Sequence, residues 1–387
     1  MSHPTRSRAA ALVLPLIGVT AAIYALSAAL VPQLGTPGHP LTPDNQSYLA
    51  LCRGHFTGIE EPFRFRVLAP WLASLAGDCT RGFILLDALC SATASVAIAL
   101  TAARLTPVYL LQLLAGLIYL ALFCPRAHEA PWLTDALASA GSAAAFGLTT
   151  ARFGPIGRGV GAGLATLSGL GRELLPPLFL RMHSLILAAR SRRLPPLLSY
   201  GPALAGIAIY VLATRLIGTQ LGPLSTYVTD VLSDTAAKDD PLRYAAGMLG
   251  SMYFLWPYGL AWPLLLRPGS HTRRVLQQQA LLVISVSLLQ SLLGGDIGRL
   301  FRLFTLPVFA IAAVDVAANG TGPRGRLLLG ATLASSSFAL GAGLILLSAE
   351  NFLALSQTLL GLNICALAPA VVFSRVSDTR HSARRLP

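Results

Sequence analysis

Residues 82–103 read GFILLDALCSATASVAIALTAA. A helix needs roughly 20 predominantly apolar residues to cross a bilayer, and this run supplies them with a single acid, Asp87, inside it. Whether it is a membrane span or the core helix of a soluble domain decides the fold, and the rest of the chain decides that. Of 387 residues, 54% are hydrophobic and 12% charged, with a mean hydropathy of +0.64. A soluble domain carries about 25% charged residues, so this chain cannot cover a water-facing surface with polar groups. The expected fold is all-α, a polytopic transmembrane helix bundle of about 12 spans.

The spans are expected at 10–31, 82–103, 107–123, 133–150, 159–171, 174–189, 197–217, 246–266, 275–294, 303–318, 327–348 and 353–373. The first follows Arg6 and Arg8 and resembles a signal peptide. Its apolar run exceeds the usual h-region of roughly 7–15 residues, so it reads as a retained helix. Arginines cluster between the runs, and Lys238 is the only lysine. With both termini cytoplasmic, Arg104, Arg152, Arg158, Arg190, Arg267, Arg273, Arg324 and the tail arginines all fall inside, as the positive-inside rule requires. The net charge of +13 therefore speaks for topology and against a nucleic-acid partner. Most acids fall on the opposite side, with Asp87 and Asp315 within spans. Acids contribute little to topology, so their crowding outside points to chemistry on the outer face.

Two outer loops are long, about 32–81 and 218–245, within one transmembrane domain over 1–387. The first holds DNQSY from Asp44, then EEPFRFRVLAPWL at 60–72. Pro43 and Asp44 suit a helix start, where Asp44 is either a cap or a general base facing the outer site. Tyr48 lies one turn on, on the same face. Arg64 and Arg66 alternate with Phe63 and Phe65, so an extended backbone puts both guanidinium groups on one side. Such a pair matches phosphate oxygens. The plainer reading pairs the arginines with Glu60 and Glu61. Residues 67–76, too short to span, read as an interfacial helix. Cys52 and Cys79 share this loop; an oxidising exterior permits a bridge, and free thiols fit equally well.

Further polar groups interrupt apolar sequence. Arg172 and Glu173 sit between two short runs, where an ionisable residue is a functional-site hypothesis by default, or a structural pair in a hairpin. Asp296, Arg299 and Arg302 follow one side of a helix start. His128, Glu129 and Asp135 lie near outer span ends, with no second histidine at metal spacing. A P-loop lysine motif, GxSxG and HExxH are all absent from the sequence.

Three segments together resemble the GT-C superfamily of integral-membrane glycosyltransferases. They are DNQSY in the first outer loop, PWLTDALASAGSAAAFGL from 131, and GAGLATLSGLGRELLPPLFL from 161. PFRFRVLAPWL is similar to a motif of bacterial members. The resemblance implies a multi-pass protein of the bacterial inner membrane and cell envelope, with a polyprenyl-phosphate sugar as donor. It implies Asp44 as the catalytic base, with Arg64, Arg66, Asp135, Arg172 and Glu173 around the substrate. Tyr48 joins them by its position one turn from Asp44, and Asp296 with Arg299 either forms a second patch for a phosphate or sugar or merely suits a helix start. Glu60 and Glu61 offer oxygen ligands to a divalent cation, Mg or Mn. The chain departs from the pattern where Asn45 follows Asp44 in place of a second acid. It departs again where Arg172–Glu173 stands for the usual lysine. A transporter or flippase of a lipid-linked or anionic substrate uses the same arginines, and so does a surface-polysaccharide polymerase or ligase.

Overall fold

A computed structural model describes residues 6–30, 41, 43–55, 57, 59, 68–103, 105–129, 135–137, 139–141, 143, 306–307, 310–311, 313–314, 318, 323–346, 351–366 and 368. Among them every regular element is helical and no strand occurs. The helices are α1 (Arg6–Leu30), α2 (Pro43–Cys52), α3 (Leu68–Ser74), α4 (Cys79–Ala102), α5 (Tyr109–Glu129), α6 (Pro323–Leu346) and α7 (Asn351–Ala366). Two are long and apolar enough to cross a membrane, Ala11–Ala29 within α1 and Cys79–Ala102. The remaining expected spans between 144 and 305, and the loop at 218–245, lie outside the described residues, as does the span count.

Helix α1 shows why a bilayer suits it. Leu12, Leu16, Thr20, Tyr24 and Ser27 form its buried stripe, while Leu14, at 72% exposure, Ile17 and Leu26 face outward. A helix apolar on both faces belongs in lipid or in the core of a large protein. Pro15 lies inside α1. Proline lacks the N–H that would bond the carbonyl four residues earlier, which is Ala11. The Tyr109 hydroxyl donates to that carbonyl oxygen at 2.7 Å. The first residue of α5 thus satisfies the group that Pro15 orphans, as neighbouring helices do in membranes. Thr20, Thr93 and Thr101 return their hydroxyls to the carbonyl four residues back, so none needs water.

Helices α1, α4 and α5 form the described centre. Leu16 and the Ser95 carbonyl both approach Gly116 of α5; a Cβ there would meet them at 2.8 and 3.0 Å. The two chain ends joined by Tyr109 and Ala11 lie at the starts of α5 and α1, so these helices run parallel. Tyr24, late in α1, meets Asp87, early in α4, so α4 runs antiparallel to both. Helix α6 packs on α5, where Gly330 admits the Leu114 side chain; a Cβ would stand 2.9 Å from it. Asn363 of α7 donates to Ser336 of α6 at 3.0 Å.

The short helices are docked at the end of the bundle where α4 starts. Helix α2 opens on Pro43, whose fixed φ suits a first helical position. Asp44 therefore sits in the first turn, and the expected cap position moves off it. Gly54, at φ +79°, closes α2: the His55 N–H reaches the Ala50 carbonyl at 2.9 Å and the Gly54 N–H reaches Leu51 at 3.1 Å, a glycine-terminated helix end. Cys52 is bonded to Cys79, with the Cα atoms 6.0 Å apart. The expected helix at 67–76 is present as α3, with Ala69, Pro70 and Ala73 buried and Trp71 and Leu75 exposed. It lies so close to α4 that a Cβ on Gly82 would collide with the Ala73 carbonyl. Only glycine allows that backbone approach. Asp78 caps α4, its carboxylate accepting the Arg81 N–H at 2.7 Å.

Candidate functional site

Asp44 is half-buried at the start of α2. Tyr48, one turn on, is buried in the core, so it anchors α2 rather than facing the outer surface. The disulfide at the far end of α2 ties the same helix to the first residue of α4. Asp44 is thus carried on an element fixed at its middle by Tyr48 and at its far end by Cys52. Asp135 is half-buried in the short helical stretch 135–137. Glu60, Glu61, Arg64, Arg66, Arg172, Glu173, Asp296 and Arg299 lie outside the described residues. Among the described residues, no group of three or more His, Cys, Asp or Glu side chains is placed to hold a metal ion.

Beneath this edge lies a polar cluster that the sequence reading left without a role. Asp87, only 5% exposed, accepts a hydrogen bond from the Tyr24 hydroxyl. The Ser91 hydroxyl is 3.1 Å from that of Tyr24. The buried Cys124 of α5 lies close to this pair, and Asp135 is near enough to act on Asp87 electrostatically. Three helices contribute at one depth. Tyr24 lies six residues before the end of α1, Asp87 eight after the start of α4, and Cys124 five before the end of α5. At 1.5 Å per residue these are about 9, 12 and 8 Å in from the helix ends. One turn further along, the Tyr119 hydroxyl donates to that of Ser139 at 2.7 Å and its ring stacks on Phe123, ring centroids 5.2 Å apart.

The signals for this cluster were present in sequence: an acid inside an apolar run, a serine four residues on, and a tyrosine in the first span. What sequence alone does not supply is the pairing of α1 with α4. The arrangement joins a carboxyl, a phenol and a hydroxyl in one hydrogen-bonded group between α1 and α4, with a buried thiol of α5 beside it. Comparison of the chain with family models, with curated proteins and with solved structures returns no match.

Proposed function

We propose that the protein is a glycosyltransferase of the outer membrane face, of the GT-C kind, moving a sugar from a polyprenyl-phosphate carrier to an acceptor hydroxyl. In this reading it is a multi-pass protein of a bacterial inner membrane with about 12 spans. The observation that carries it is Asp44: a half-buried carboxylate on a helix held by a disulfide against the end of an apolar span. A lipid-linked donor presents its reacting carbon at that level.

The chemistry follows from the donor. The acceptor oxygen forms a bond to the anomeric carbon as the bond from that carbon to the phosphate oxygen breaks. Asp44 takes the acceptor proton. The electron pair leaves with the lipid phosphate, which is a stable anion and needs no general acid. Arg64, Arg66 and Arg172 offset the charge that develops on it, and Tyr48 holds the helix that presents Asp44. Asp135, Glu173, Asp296 and Arg299 complete the substrate surface.

The test is turnover of a panel of polyprenyl-phosphate sugars by detergent-purified protein. Asp44→Ala and Arg66→Ala are each expected to lower turnover by at least about 100-fold, the scale of one lost acid–base or charge-stabilising group, with native thermal unfolding. Full turnover in Asp44→Ala removes that residue from the mechanism.

A second reading, transport of a lipid-linked or anionic substrate, draws on the Tyr24–Asp87–Ser91 cluster, since acids within spans often mark transport paths. Asp87→Asn would then abolish uptake or flipping in vesicles while leaving sugar transfer in detergent unchanged.

A further inference from the structure

The disulfide draws together two cations that the sequence separates by 28 positions. Arg53 follows Cys52 and Arg81 lies two residues after Cys79, and the bonded cysteines have Cα atoms 6.0 Å apart. Backbone geometry then limits the two arginine Cα atoms to about 15 Å, within reach of one phosphate for two side chains of this length. Both arginines are exposed, and His55 beside them is exposed too. Neither guanidinium has a hydrogen bond or ion pair among the described residues. The nearby acid Asp78 turns a carboxylate oxygen to the Arg81 backbone N–H.

Below Arg81 the same face of α4 is greasy. Leu85 and Leu89 follow at steps of four and are 55% and 58% exposed. Residues at this spacing share one face of a helix, so the stripe runs from a cation down about 12 Å of leucine surface. Trp71 of α3 and Leu75 just past its end are exposed too, and α3 is pressed on the first turn of α4 at Gly82. Exposed Trp beside a span end is typical of the headgroup layer.

We propose that Arg53 and Arg81 form a binding site for an anionic phospholipid, the phosphate between the two guanidinium groups and an acyl chain along Leu85 and Leu89. Charge complementarity selects the anionic headgroup, and the leucine stripe selects a lipid over a free phosphate. The site is independent of sugar transfer and requires only that α4 lies in the membrane.

The experiment uses the full chain in detergent, with its thermal unfolding midpoint read against added phosphatidylglycerol, phosphatidylcholine of the same acyl chains, and glycerol 3-phosphate. Phosphatidylglycerol is expected to raise the midpoint by several degrees, an effect that shrinks with added salt. The other two are expected to leave it unchanged. Arg53→Gln/Arg81→Gln is expected to lose the response while keeping the lipid-free midpoint and the disulfide. Arg53→Gln alone, altering a turn residue outside α4, is expected to weaken it. Equal stabilisation by phosphatidylcholine, an equal response to glycerol 3-phosphate, no response to any addition, or an undiminished response in the double variant would each overturn the site.

Discussion

At the scale of single residues, Asp87 poses the sharpest energetic problem. Placing an acid near the centre of a span costs roughly 2.5–3.5 kcal/mol on insertion scales, and only contacts inside the protein can offset it. The Tyr24 hydroxyl supplies one such contact, from a different helix. Tyr24→Phe keeps the ring and removes the donor. Hydrogen bonds between membrane helices contribute about 0.6 kcal/mol on average and up to about 1.7, and leaving a buried polar atom unpaired costs about 1–3. The variant is therefore expected to lose about 1–2 kcal/mol in thermal or denaturant unfolding in detergent. Asp87→Asn, whose amide oxygen still accepts, is expected to lose less. Equal stability of wild type and Tyr24→Phe would show that this bond contributes nothing. Asp87 was visible in sequence as an acid within a span, but its partner was not. Tyr24 lies 63 positions away, and no local pattern records which helices touch. Asp44 was visible for a different reason: Pro43 marks a helix start by its own backbone restriction. The same restriction places Asp44 inside the first turn.

At the scale of elements, the apolar runs were the most legible part. Runs at 10–31, 82–103 and 107–123 correspond to α1, α4 and α5, displaced by a few residues at the ends. The displacement has a cause. Hydropathy ends where polar residues begin, whereas the backbone ladder continues through them, past Arg126 and His128 to Glu129 in α5. The bridge between Cys52 and Cys79 was open in sequence, because two cysteines in one loop do not say that α2 folds back on α4. Its consequence is calculable. Closing a loop with a sequence separation of 27 removes unfolded-state entropy worth about 3.5 kcal/mol in the chain-entropy treatment. Cys52→Ser, Cys79→Ser and the double variant are expected to lose unfolding free energy alike, by up to that amount, and to unfold at a lower midpoint. Reductant is expected to lower the wild type and leave the variants unmoved. A wild type indifferent to reductant, with its bridge shown to be cleaved by thiol labelling, would mean that Tyr48 and the α3 contact hold this edge without it.

At the scale of the whole molecule, two independent lines bear on which way the protein sits. In the proposed topology the arginines between the apolar runs put the start of α1 and the turn between α4 and α5 inside. A disulfide persists in an oxidising compartment, which in this topology lies at the opposite end, where α2, α3 and the start of α4 gather. Helix α4, with 24 residues, is about 36 Å long. That exceeds the roughly 30 Å of a hydrocarbon core, so in the proposed topology its two ends emerge on different sides. The expected labelling pattern follows. In a background with Cys90, Cys124 and Cys365 replaced by serine and the bridge retained, His55→Cys and Leu75→Cys should react with a membrane-impermeant maleimide on intact cells. Pro107→Cys, at an exposed position in the turn before α5, should react only after permeabilisation. Labelling of both ends from the same side would break the span assignment of α4, and with it the placement of Asp44 and of the Arg53–Arg81 pair at one outer edge. The reverse pattern would leave the spans intact and invert the molecule. It would put the disulfide in a reducing compartment, an outcome that a non-reducing gel of the same cells distinguishes directly.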